Sequence, residues 1–347
     1  MYIKKILLAI VIIGLFVASY FAYFVYNAMF KPNTNFNQSE TYIYVPTHAR
    51  YTDVREQLQP LLKDIDGFDA LAARKQYTSH IKAGRFVIKK GMSNNDIINS
   101  IRSKNKPLQL AFNNQESIEK LAGRIATQIE PDSLTLLQAM TDAQFETDNG
   151  FNSKNRLGMY IPNSYEFFWN TSAEAFRERM LKEYNRFWKG ARTQKAEALN
   201  LTRDEVMTLA SIVHEESKQS SEQPRIAGVY LNRIRIGMPL QADPTLKYAA
   251  YQLPEYKNTV IKRVLNKHKD IDSPYNTYKN RGLPPGLIAM PDVSAIDAVL
   301  NPEKHSYLYF AADASRLGFH KFAKTLSQHN SNAREYHSYL SAQGINK

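Results

Sequence analysis

At 347 residues, with 43% hydrophobic and 12% aromatic side chains, the chain holds enough material for two or three packed cores and excludes extended disorder. It contains no cysteine, which rules out disulfides, thiol catalysis, thiolate-bound zinc and a lipid anchor on cysteine. The formal charge of +12 favours polyanions such as anionic lipid or acidic wall polymer, but the basic residues are dispersed and no nucleic-acid module shows its signature, so no nucleic acid is expected as partner.

Lys4 and Lys5 precede a nearly unbroken apolar run from Ile6 to Tyr26. Roughly 20 such residues suffice to cross a bilayer as a helix. Tyr20, Tyr23 and Tyr26 crowd the far end, where tyrosine rings favour the interface. The basic residues before the run outweigh the single Lys31 after it, which places the N-terminus in the cytoplasm and the bulk of the chain outside. The run is too long for a signal peptide and no small-x-small site follows it, so residues 1–30 read as a retained anchor. Residues 31–40 read as a polar linker.

Residues 41–45 alternate as a strand does, helical patterns follow near 52–62 and 68–77, and 84–90 is a second strand. Ser93 caps a helix carrying Ile97, Ile98 and Ile101. This β-α-α-β order over 41–106 resembles a LysM-like glycan-binding module, and a plain spacer is the alternative. Residues 107–347 then form a larger α+β domain. In it 108–112 reads as a strand, 116–128 as a helix, 158–165 as an aromatic turn segment and 172–188 as a long amphipathic helix.

Thr202 and Glu205 form a capping-box pair, and Val206, Leu209, Ala210 and Val213 follow at the spacing of an amphipathic helix. At about 100° per residue, Glu216 falls beside Leu209, Ile212 and Val213, whereas Glu215 falls with Thr208 and Ser211 on the wet side. A carboxyl at the edge of an apolar stripe is costly to ionise, so Glu216 is a candidate general acid. The plainer alternative is a buried glutamate paired with Arg225 or Arg233. Beyond it, Pro224 opens a helix with Ile226, Val229 and Tyr230 inward, and Gly237 closes it.

Three later segments are rich in groups that suit a sugar, whose faces are apolar and whose rim is polar. In the first, Asp243 can cap a helix beginning at Pro244, flanked by Gln241 and Thr245. The second holds Tyr275, Asn276, Thr277 and Tyr278, followed by Gly282-Leu-Pro-Pro-Gly286. The third holds His320, Phe322, Thr325, His329 and Asn330. From the first two come the candidate substrate-binding residues Gln241, Asp243, Thr245, Tyr275, Asn276, Thr277 and Tyr278.

These motifs, in this order, resemble the MltG/YceG-like family of membrane-anchored endolytic murein transglycosylases. The resemblance rests on Ala210-Ser-Ile-Val213 with Glu216, Asn232-Arg233, Gly237-Met238, Leu240-Gln241, Asp243-Pro-Thr245, Tyr248, residues 273–278 and 282–286, Pro291, 307–310, and 320–330. It implies that Glu216 is the catalytic acid and base. It further implies cleavage of the bond between N-acetylmuramic acid and N-acetylglucosamine with 1,6-anhydro ends, no cofactor, and peptidoglycan synthases as partners. Where the family usually reads Glu-x-Glu, this chain has His214 as the first member, and Asn163 and Ser164 stand where Asp and Thr are usual.

Three rival readings remain at this level. A hydrolase would use the same pocket, with Asp243 or Glu222 activating water. A wall-binding scaffold would need no acid. A zinc peptidase is suggested by His214-Glu-Glu216, but no second histidine sits four residues on, so no metal is expected.

Overall fold

The computed structural model describes residues 2–256, 259–261 and 263–344. Helix α1 (Tyr2–Phe30) is exposed along most of its length, and it is long and apolar enough to cross a membrane. The rest packs as two units. The smaller runs to Leu110 and takes in Gln128–Pro131 and Tyr165–Ser172; the larger holds the remainder.

The smaller unit contains β1 (Glu40–Val45), α2 (Tyr51–Leu58), α3 (Ile65–Arg74), β2 (Gly84–Lys89) and α4 (Asn94–Ser103). Alternation in β1 turns Ile43 and Val45 inward and leaves Tyr44 outside. The strands pair antiparallel from Glu40↔Lys89 to Val45↔Gly84. Ser93 and Asp96 close a capping box on α4, and Asp64 caps α3 by accepting from the Gly67 amide at 2.9 Å. The helices bury Phe68, Ile97, Ile98 and Ile101 against Ile43, Phe86 and Ile88. Each such side chain contributes roughly 1.5–3 kcal/mol on burial.

Within residues 31–40, expected as a linker, Asn33 and Thr34 are built into the unit. Asn33 is buried, donates to the Asp64 carbonyl at 2.7 Å and to Asn94 Oδ1 at 2.6 Å, and accepts from the Asp64 amide at 2.8 Å. Thr34 accepts from the Gly91 amide at 2.8 Å. The polar side chains that suggested a solvated spacer satisfy backbone groups inside the unit.

From the boundary onward come β3 (Leu108–Phe112), α5 (Ile118–Ala126), α6 (Ser133–Met140), α7 (Ala143–Asn149), β4 (Asn163–Phe167), α8 (Ala173–Phe187), α9 (Ala191–Ala198) and α10 (Arg203–Glu216). They are followed by α11 (Gln223–Arg235), α12 (Asp243–Tyr251), α13 (Asn266–Lys269), α14 (Val293–Leu300), β5 (Tyr309–Ala312), β6 (His320–Ala323) and α15 (Leu326–Ala342). Strand β3 pairs with β4, and β5 pairs antiparallel with β6. The class is α+β, dominated by helices with small two-stranded sheets. The aromatic turn segment proves to contain the start of β4. Helix α14 buries Ala295, Ile296, Ala298, Val299 and Leu300 between neighbours that include α10 and α11.

Candidate active site

Helix α10 starts at the capping box of Thr202 and Glu205 and is buried without interruption from Val206 to His214. The wet side expected for Thr208 and Ser211 is therefore covered. Ser211 Oγ donates to the Thr208 carbonyl at 2.7 Å and accepts from the Ile288 amide at 3.1 Å, so a later loop closes over that face. After that buried stretch Glu215 is exposed, where it meets Lys218 at 3.0 Å. His214 is buried, 3.4 Å from Asp292 and 3.8 Å from Glu215. Burial, with Lys218 adding to it, pushes the imidazole below its ordinary pKa, so it is neutral near pH 7.

Glu216 ends the helix and opens onto a cavity of about 530 Å³. Tyr230 of α11 donates its hydroxyl to Glu216 Oε1 at 2.6 Å, and among the described residues Oε2 has no hydrogen-bond partner. Burial pushes the Glu216 carboxyl up to about 7; the Tyr230 hydrogen bond works against this and the Asp243 charge works with it. Neither arginine pairs with Glu216. Arg225 binds Glu303 at 2.9 Å, and Arg233 donates to the carbonyls of Leu308 and Leu240 at 2.6 Å each. Tyr230 itself is held well above its ordinary pKa by burial and the neighbouring carboxylate, so it stays a neutral donor.

The seven predicted substrate residues separate into three that line the cavity, three buried behind it, and Tyr275. Gln241, Asp243 and Tyr278 line the cavity with Glu216. Gln241 has φ 50°, held by its amide on the Thr277 carbonyl at 3.0 Å. Asp243 is not the cap expected for it: Ala242 takes that position, and the Asp243 carboxylate accepts from the Tyr278 hydroxyl at 2.6 Å. Thr245, Asn276 and Thr277 are buried behind the wall. Thr245 and Thr277 share a hydrogen bond at 2.8 Å, and Thr277 Oγ1 accepts from the Ala242 amide at 3.0 Å. Asn276 donates to the Lys269 and Ile271 carbonyls at 2.9 and 2.8 Å and accepts from the Tyr278 amide at 3.0 Å. These three shape the loop that presents Gln241 and Tyr278. Tyr275 packs against Tyr248, ring centroids 4.6 Å apart, outside the cavity lining.

The opposite wall comes from the β5–β6 hairpin and α15, through Tyr309, Phe310, His320 and His329. Tyr230 was read in the sequence only as packing, and nothing in its spacing marks its bond to Glu216. Glu222, considered for water activation, is buried and turned onto His320 at 2.8 Å. Asn163 and Ser164 are exposed on β4 and do not line the cavity. In chemical terms the site offers one carboxyl whose pKa is raised by burial, a fixed phenol donor, a second carboxylate and aromatic walls: a cleft suited to proton transfer.

A model of the YceG-like family matches residues 43–335 of the chain. The endolytic murein transglycosylase of Bacillus subtilis is 32% identical over 295 residues, covering 77% of this chain and 79% of that protein. The protein of the same name from Streptococcus pneumoniae is 28% identical over 303 residues, or 78% of this chain, which spans only 53% of that longer relative. A crystal structure of a yceG-like protein from Listeria monocytogenes superposes with a TM-score of 0.57 at 26% identity, covering 85% of this chain and 99% of that one.

Proposed function

The chain belongs to the YceG-like family, and from that premise we propose that it is an endolytic murein transglycosylase in which one residue, Glu216, is both acid and base. The substrate is the β-1,4 bond between N-acetylmuramic acid and N-acetylglucosamine in a peptidoglycan strand. Protonated Glu216 gives its proton to the bridging oxygen as the bond to the anomeric carbon breaks and the sugar gains oxocarbenium character. The resulting carboxylate then takes the proton of the muramic C6 hydroxyl, whose oxygen closes on the anomeric carbon. The products are a free 4-hydroxyl and a 1,6-anhydro end; no water is consumed and Glu216 is again protonated.

The observation that carries this reading is the carboxyl of Glu216 facing the cavity, with a pKa raised to about 7 by burial. Such a group is protonated in a large fraction of molecules near neutrality and is still basic enough to take a proton back. Tyr230 occupies Oε1, which leaves Oε2 for the substrate. Because the nucleophile belongs to the sugar, a second catalytic carboxylate is not required, in contrast to ordinary glycosidases.

Helix α1 anchors the enzyme, with Lys4 and Lys5 keeping the N-terminus in the cytoplasm and the site on the outer face of the inner membrane. Cutting there limits the length of nascent strands, and a peptidoglycan synthase is the partner this reading implies. One specific observation favours a second reading: Asp243 lies in the same cavity and could direct water to the sugar. Product analysis on purified sacculi separates the two. Anhydro ends are expected from the parent and none from Glu216→Gln. Hydrolysed reducing ends would overturn the transglycosylase step, and an equally fast Glu216→Gln would remove the acid.

A further inference from the structure

Apart from the acid, the cavity wall carries one side chain whose orientation is fixed by a buried charge. His320 opens β6 and lines the cavity. Its Nδ1 lies 2.8 Å from Glu222 Oε2, and its backbone amide donates to Oε1 of the same carboxylate at 2.8 Å. Glu222 is 6% exposed and lies 98 positions away in the chain; its remaining contact is the Ser217 hydroxyl at 3.4 Å. A carboxylate only accepts, so the ring proton is held at Nδ1 and Nε2 is the nitrogen left over. Among the described residues Nε2 has no protein partner.

The ring is also braced by packing. Phe310 meets it edge-on at 5.2 Å, and Phe310 in turn meets Tyr230 edge-on at 5.8 Å. Tyr230 carries the hydroxyl that binds Glu216. His320 is therefore linked to the acid through two aromatic rings, those of Phe310 and Tyr230. A buried carboxylate with two donors from one residue is an expensive way to hold a hairpin, and one that leaves the imidazole locked in plane and tautomer.

We propose that His320 is a further substrate-binding residue of this reaction, with Nε2 accepting a hydrogen bond from a hydroxyl or acetamide N–H of the sugar adjoining the one Glu216 protonates, and that Glu222 is the residue that positions it. The proposal rests on the transglycosylase reading above. Because the contact is remote from the reacting atoms, it is made equally in the ground and transition states and so acts on KM.

The test uses the full chain in detergent and glycan strands isolated from sacculi, with initial rates measured over strand concentration. His320→Ala is expected to raise KM about tenfold, the worth of one good hydrogen bond, with kcat within about twofold of the parent. His320→Gln, whose terminal carbonyl reaches the position of Nε2, is expected to bring KM back to within about threefold. Glu222→Gln keeps the shape but offers an amide N–H to Nδ1, which drives the ring proton to Nε2 and turns the acceptor into a donor. The expected signature is an exchanged tautomer in the imidazole nitrogen resonances of His320 together with a raised KM, which a merely structural residue would not give. If Glu222→Gln does not fold, His320→Ala and His320→Gln decide. An unchanged KM in His320→Ala, or a loss confined to kcat, overturns the proposal. Anhydro ends from the parent in the same assay keep the transglycosylase reading intact whichever way His320 falls.

Discussion

In the smaller unit the buried side chains around Phe68 and Ile98 are apolar, joined by uncharged groups such as Asn33 and Ser100, whereas the larger unit also buries Glu146, His214, Glu222, Arg233 and His268. Every buried acid, arginine or histidine among the described residues lies in the larger unit. Placing an ionisable group out of water is unfavourable unless it is paired, and the pairing then fixes its geometry. Glu146 shows the purely structural solution, held by Arg156 at 2.8 Å. Around the cavity the partners are instead neutral donors: Tyr230 on Glu216 and Tyr278 on Asp243. Those choices keep a carboxyl poised without cancelling it. One unit uses burial to hold shape; the other uses it to tune acidity.

The strongest test of that contrast is Glu216→Gln. It should lower the rate of anhydro-end formation by on the order of a thousandfold, the middle of the range for loss of a general acid and base, while far-ultraviolet circular dichroism stays unchanged. In the smaller unit Phe68→Ala should do the reverse, costing about 3–5 kcal/mol in denaturant unfolding of that unit and leaving kcat intact where the protein remains folded. A kcat loss as large as that of Glu216→Gln would erase the distinction between the units.

The pH dependence of stability sharpens it further. The Glu216 carboxyl moves from an ordinary 4.5 to about 7 in the fold, so its protonated form is the one the fold favours. Its contribution is complete below pH 4.5 and is lost as pH rises through about 7. The parent should lose on the order of 1–3 kcal/mol relative to Glu216→Gln between pH 5 and 8. Parallel melting curves across that range would show that burial does not raise the acid. The smallest effect belongs to Tyr230→Phe. The phenol hydrogen bond lowers the Glu216 pKa, so its removal should move the alkaline limb of kcat/KM to higher pH by roughly 0.5 of a pH unit. A limb that moves down, or stays, would mean that Tyr230 does not tune the acid.

The inward direction of Glu216 was legible because helical periodicity fixes direction, and the same periodicity made α2, α3, α4, α8 and α11 readable to within a few residues. The wheel misplaced Thr208 and Ser211 because it knows nothing of the loop at Ile288 that covers them. Composition flagged the segment 273–278 correctly as polar and aromatic, but it cannot say whether a polar group faces a ligand or holds the wall. Asn276 and Thr277 do the second and Tyr278 lines the cavity. The linker reading of 31–40 failed for the same reason, since Asn33 and Thr34 satisfy internal backbone groups. The Glu222–His320 pair spans the chain too widely for any local pattern to announce it.

Helix α15 and the β5–β6 hairpin supply the far wall of the cleft, and both come late in the chain, long after α1 and Glu216. Synthesis from the N-terminus therefore produces the apolar helix first and this enclosure last. Until those final segments have been made and packed, the wall formed by Tyr309, Phe310, His320 and His329 is missing from the cavity. A wall-cutting enzyme made in this order carries its apolar helix before its cleft is complete.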